Sequence, residues 1–305
     1  MTWRTAFVFP GQGSQRIGML DHLPESDDLA RLLDAAEALA DMELRTIAAM
    51  GPESELADTR VAQPLLYLAD WCWATSLIES GVAPQVVAGH SLGEIAALAI
   101  AGVYSVEAGL ELVVERSRLM AATAVSTPGT MAAVIGLSSD ALASAIEGID
   151  GVWLANDNAA AQIVISGTVD GVVQASQAAT DAGARRVLPL SVAGPFHSPL
   201  MEPAREAFET IVRGAAFTNA TIPVLQNTDP TPSTDGEVIR ERLIGQITAP
   251  VRWTETVAMF AQSAPITVVE VGPGAVLTGL MRRVDGITAI SVESSGIEAV
   301  LEEVQ

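Results

Sequence analysis

The chain predicts an α/β fold of two lobes, a large domain interrupted by a small ferredoxin-like one. Three observations carry that prediction. An apolar run, Val86-Val87-Ala88, breaks into Gly89-His90-Ser91-Leu92-Gly93-Glu94 and then a small-residue helical pattern over 95–101. That is strand, sharp turn and helix, the context a G-x-S-x-G nucleophile elbow requires. After Pro128-Gly129-Thr130 the pattern changes to two short β-α-β units ending near residue 190, the layout of a small ferredoxin-like lobe. Beyond residue 192 longer helical patterns and buried strands resume. The expected division is a large domain of 1–123 and 193–305 around a small subdomain of 124–192.

The elements follow in order. A buried strand over 5–9 ends in the glycine-rich loop Pro10-Gly11-Gln12-Gly13-Ser14-Gln15. This loop lacks the lysine and the full G-x-G-x-x-G of a phosphate loop, so its amides read better as a second oxyanion donor. Acidic helices over 27–39 and 44–50 precede an apolar helix over 64–79. In the elbow, Gly89 and Gly93 permit a close strand–helix approach that a Cβ would obstruct. Ser91 stands at the tip, and the Leu92 amide lies where an oxyanion would develop. A helix over 105–123 carries Glu107, Glu111, Glu115 and Arg118 on its polar side. Arg116 projects among the apolar residues, where an unpaired charge is costly. It needs an internal anion, either a ligand or a buried protein carboxylate. The insert reads as strand 131–136, helix 139–147, strands 152–155 and 162–166, helix 169–182 and strand 186–190. A helix over 203–213, strand 223–226, a segment over 235–246, helix 251–262 and strand 267–271 complete the large domain. Gly272-Pro273-Gly274 leads into a last long helix.

Composition narrows the chemistry. The 305 residues carry a formal charge of −21, which argues against nucleic-acid binding. All 16 basic residues are arginine. Without lysine there is no Schiff base to pyridoxal phosphate and no Walker loop. Any side chain gripping a substrate anion is arginine, or a polar group aided by a helix N-terminus. The single cysteine, Cys72, reads as a buried core residue, no apolar run reaches membrane-spanning length, and the N-terminus lacks a signal-peptide layout. These features predict a cytoplasmic protein without a membrane partner.

A serine nucleophile needs a base, and the chain has three histidines. His90 abuts the serine within the turn, and His22 lies in an acidic segment far upstream. His197, in Gly194-Pro195-Phe196-His197-Ser198-Pro199, is the natural partner. No acid between Ser91 and His197 stands out as a third triad member; a backbone carbonyl is one group that can orient the ring instead.

With these residues placed, the chain resembles the malonyl-CoA:acyl carrier protein transacylase family along essentially its whole length. The matching segments are 9–15, 89–94, Glu115-Arg116, 130–134, 194–201, 246–253 and Glu270-Val271-Gly272-Pro273-Gly274. The resemblance implies an α/β-hydrolase-like large domain and a dyad of Ser91 and His197. It implies an oxyanion hole of the Gln12 and Leu92 amides, and Arg116 gripping the malonyl carboxylate. By the same resemblance Gln246 orients His197 through its carbonyl, His90 and Asn158 line the cleft, and Phe196 excludes a 2-methyl branch. It further implies a cofactor-free and metal-free monomer acting on malonyl-CoA and phosphopantetheinylated acyl carrier protein in fatty acid synthesis. Ala159-Ala160-Ala161 departs from the family's usual Ser-Pro-Gly there, which bears on the local loop and on Asn158. Three rivals remain: a serine hydrolase on the same elbow, a non-catalytic binding lobe, and the same transfer in a polyketide pathway or a malonate decarboxylase.

Overall fold

A computed structural model describes residues 2–304. Its strands are β1 (Thr5–Phe9), β2 (Val86–Gly89), β3 (Thr130–Ile135), β4 (Val152–Ala159), β5 (Gln162–Gly167), β6 (Arg186–Pro189), β7 (Val224–Leu225), β8 (Ile266–Glu270) and β9 (Ile287–Ser291). Five of them form a parallel sheet in the order β7-β2-β1-β8-β9. Every residue of β1 is buried. Its side chains alternate between two faces: Phe7 and Phe9 enter one apolar cluster, Ala6 and Val8 the other. Helices Thr59–Glu79, Gly93–Ile100 and Val106–Ser126 cover the first face, and Trp253–Ala261 and Val276–Met281 the second. The chain leaves β1 for β2 on one side, while β8 flanks the other. Such a switch point opens a crevice beyond the carboxyl ends of the strands.

The other four strands form an antiparallel sheet ordered β4-β5-β3-β6. With helices Ser139–Ala145 and Val169–Asp181 this is the expected ferredoxin-like arrangement. Main-chain hydrogen bonds tie it to the large sheet's lobe. Asp157 N donates to Val251 O (2.9 Å) and Val251 N to Ala155 O (2.8 Å). Thr254 Oγ1 also donates to Asp157 Oδ1 at 2.7 Å. Among the described residues no helix is long and apolar enough to cross a membrane.

Three elements differ from the sequence reading. The apolar helix begins at Thr59 and not at residue 64, because Asp58 caps it by accepting the Arg60 amide at 2.9 Å. Pro64 therefore lies inside the helix. The strand expected over 152–155 runs on to Ala159 through two bulges, with β5 as its hairpin partner. The last long helix is instead a short helix Val276–Met281, then β9, then helices Val292–Ser295 and Ile297–Val304. Gly286, at φ 78°, turns the chain into β9.

Candidate active site

The elbow forms where β2 meets helix Gly93–Ile100. A Cβ on Gly89 would overlap the Gly93 carbonyl, and one on Gly93 would overlap the Phe9 carbonyl. Both glycines are forced by backbone packed on backbone. Ser91 takes a left-handed φ of 51°, which costs a non-glycine residue about 1–3 kcal/mol and persists only where neighbours impose it. Those neighbours are visible. Asn227 Oδ1 accepts the Ser91 amide (2.7 Å), and Asn227 Nδ2 donates to Gly89 O (2.6 Å). Asn227 is anchored in turn by its own amide, which donates to buried Glu94 at 2.7 Å. Gln246 Nε2 donates to Ser91 O at 2.8 Å.

His197 reaches the serine from the turn after β6. Ser91 Oγ lies 2.7 Å from His197 Nε2. His197 Nδ1 lies 3.1 Å from both Gln246 O and Ala249 O. Two carbonyls can only accept, so the proton belongs on Nδ1 and Nε2 is free to accept from Ser91. Burial, then the Arg116 charge, then His90, push His197 down to about 3. The imidazole is therefore neutral near pH 7, the form a general base requires.

Arg116 is 1% exposed. Its Nη1 donates to Gln63 Oε1 (2.7 Å), and its Nη2 donates to Gln246 Oε1 (2.9 Å) and Ser91 Oγ (3.2 Å). Nε has no partner. No protein carboxylate pairs with it among the described residues, so of the two anions left open by the sequence the buried protein carboxylate is not the one it uses. Burial lowers its pKa to about 10, partly offset by Glu94, which leaves it a cation at neutral pH. Arg118, on the charged side of the same helix, pairs with Glu115 at 2.6 Å as expected.

A cavity of about 110 Å³ joins these groups, lined by Gln12, His90, Ser91, Leu92, Arg116, Phe196 and His197, with Met131, Asn156 and Val164 from the second sheet. Neither the Gln12 nor the Leu92 amide finds an acceptor among the described residues. His90 Nε2 sits 2.8 Å from Asn158 Oδ1, and its ring packs 5.5 Å from Trp253. Asn158 thus braces His90, while Asn156 faces the cavity with its Oδ1 unpartnered. Ala160 and Ala161 turn the β4–β5 hairpin.

A neutral base on an elbow serine, two free amides and an unpaired cation together suit acyl transfer. Residues 6–293 match the acyl transferase domain. The chain belongs to that family. The acyltransferase is 41% identical to a malonyl CoA-acyl carrier protein transacylase of Synechocystis sp., over 92% of this chain and 93% of that one. It is 38% identical to a polyketide biosynthesis malonyl CoA-acyl carrier protein transacylase of Bacillus subtilis, covering 91% and 96%. Among solved structures it resembles a malonyl-transacylase in complex with its type II polyketide acyl-carrier protein. There the TM-score is 0.91 and the identity 36%, covering 98% and 99% of the two chains.

Sequence reasoning missed Gln63, Asn156, Asn227 and the roles of Glu94 and the Gln246 side chain. Gln63 lay one residue before the helix expected over 64–79, so no apolar stripe singled it out. Asn227 had no local signal, since its partners lie more than 130 positions away.

Proposed function

We propose that this acyltransferase moves malonyl from CoA to the pantetheine thiol of acyl carrier protein, through a malonyl ester on Ser91, in fatty acid synthesis. The observation that carries the reading is Arg116, a buried cation 3.2 Å from the serine oxygen with no carboxylate partner among the described residues. A malonyl carboxylate supplies that partner when the thioester carbon lies at Ser91. A neutral acyl group or a simple esterase substrate leaves the cation unpaired.

His197 Nε2 takes the Ser91 proton as Oγ attacks the thioester carbonyl. The Gln12 and Leu92 amides meet the tetrahedral oxyanion. The intermediate collapses, the C–S bond breaks, and the CoA thiolate leaves with the proton from His197. The pantetheine thiol of acyl carrier protein then gives its proton to His197 and attacks the ester, and Ser91 leaves as the alcohol. The Gln246 and Ala249 carbonyls keep the imidazole in the tautomer both half-reactions need. Phe196 limits bulk at the acyl group, and His90 and Asn158 hold the cleft wall. No step calls for a metal or a cofactor. We take the protein as a cytoplasmic monomer, with the small lobe spanning 124–192.

The polyketide relative favours a second reading, in which the same transfer loads a polyketide carrier. Mixing the malonylated enzyme with purified carriers of each pathway separates the two. Turnover of malonyl-CoA that depends on water and not on an added thiol would contradict transfer altogether.

A further inference from the structure

The contact between Arg116 and the nucleophile itself has a consequence for selectivity. Ser91 Oγ gives its hydrogen to His197 Nε2, and one of its two lone pairs receives Arg116 Nη2 at 3.2 Å. The guanidinium stands within about 6 Å of the base along that path. It is also short of acceptors: Gln63 and Gln246 offer neutral amide oxygens, and Nε has none.

We propose that the carboxylate of the acyl group switches the dyad on. Arg116 Nη2 donates to the serine oxygen and its charge weakens His197. A carboxylate seated on Arg116 removes both restraints. This inference rests on the reading above, with Ser91 as nucleophile and Arg116 as carboxylate seat, and adds a coupling between them.

The physical case has two parts. A carboxylate offers the guanidinium two oxygens and a full opposite charge, where the hydroxyl offers one neutral lone pair, so a seated carboxylate draws Nη2 off Ser91. It also neutralises the cation. A unit charge at this range and an effective dielectric near 20 shifts an imidazole by about two pH units. The charged and titratable groups facing His197 are Arg116 on helix Val106–Ser126 and His90 in the elbow. Glu94 faces Arg116 from helix Gly93–Ile100. With Arg116 neutralised, His197 becomes a stronger base, closer to the ideal for general-base work near neutral pH. A thioester without a carboxylate therefore lacks binding and also meets a nucleophile that is still restrained.

The test uses a small uncharged fluorophosphonate, which labels the serine without engaging Arg116, on the full-length wild type and Arg116→Gln. In the variant, the acid limb of the labelling rate should rise by about one to two pH units and the plateau rate several-fold. A purely structural Arg116 predicts slower labelling with an unmoved limb. As a second measurement on the wild type, free malonate should raise the pH at which the His197 ring titrates by NMR, and equimolar acetamide should not. An unmoved limb together with an unmoved His197 titration overturns the coupling and leaves the transacylase reading standing. Labelling that persists in Ser91→Ala overturns the reading itself.

Discussion

Replacing Arg116 by alanine should invert the enzyme's choice of acyl group. In the wild type a malonyl carboxylate makes two charge-assisted hydrogen bonds to a guanidinium that is 1% exposed. At roughly 1.5–3 kcal/mol each, they separate malonyl-CoA from acetyl-CoA by about 3–6 kcal/mol. That is roughly 10²- to 10⁴-fold in kcat/KM. Phe196, 6% exposed and lining the same cavity, rejects methylmalonyl-CoA by steric means, worth about 10- to 200-fold. The wild type should therefore rank malonyl above methylmalonyl above acetyl. In Arg116→Ala the malonyl carboxylate must be desolvated with no partner, so malonyl transfer falls by a factor in the same range while acetyl transfer rises. Arg118→Ala, whose partner is the half-buried Glu115, should match the wild type. The assay is kcat/KM for the three thioesters with each variant, using a saturating carrier thiol. If Arg116→Ala still prefers malonyl-CoA over acetyl-CoA by more than about 100-fold, the carboxylate is held elsewhere and the reasoning fails.

Three further outcomes are expected. Incubation with malonyl-CoA should add one malonyl mass to the wild type and none to Ser91→Ala, read by intact-protein mass spectrometry. Gln246→Ala keeps the carbonyl that faces His197 but loses the side-chain bonds to Ser91 O and Arg116, so acylation should slow by roughly 10- to 150-fold; His197→Ala should lose far more, and equal losses in rapid-quench experiments would contradict this. Asp70, fully buried with neither carboxylate oxygen partnered, is pushed well up by burial and then by Glu270. An acid raised in the fold is stabilised below its unfolded value and costs stability as pH rises above it. Asp70→Asn should therefore raise the Tm, by more at pH 8 than at pH 5; a gain that shrinks with pH would refute the assignment.

Much of the site was legible because its chemistry is local or eliminative. The elbow needs two glycines around one serine, three histidines leave one base, and a lone arginine in an apolar stripe announces itself. The two short β-α-β units gave the small lobe for the same reason, since each is a contiguous run of alternating patterns. Other features depend on contacts no window of sequence contains. The strand Ile287–Ser291 is fixed by pairing with β8; Asp285-Gly286 and the β-branched residues after it were the weaker local signals against a helix. Asn227 becomes part of the elbow only when β7 lies beside β2. Asn156 and Asn158 both reach His90 Nε2, at 3.5 and 2.8 Å, yet only Asn156 lines the cavity, a division made where β4 is bulged.

The seam between the two sheets sets what can change independently. Ser91, His197, Arg116, Gln246 and Gln12 all come from loops and helices around the parallel sheet, whereas Met131, Asn156 and Val164 enter the cavity from the antiparallel one. Part of the aperture thus resides on a scaffold apart from the reactivity, while Phe196 keeps its place beside His197. The joint at Asp157 and Val251 is made largely by amide N–H and carbonyl groups, and proline alone lacks the N–H. Substitutions along β3, β4 and β5 can recut the opening for a different acyl group while this seam and the catalytic residues keep their alignment.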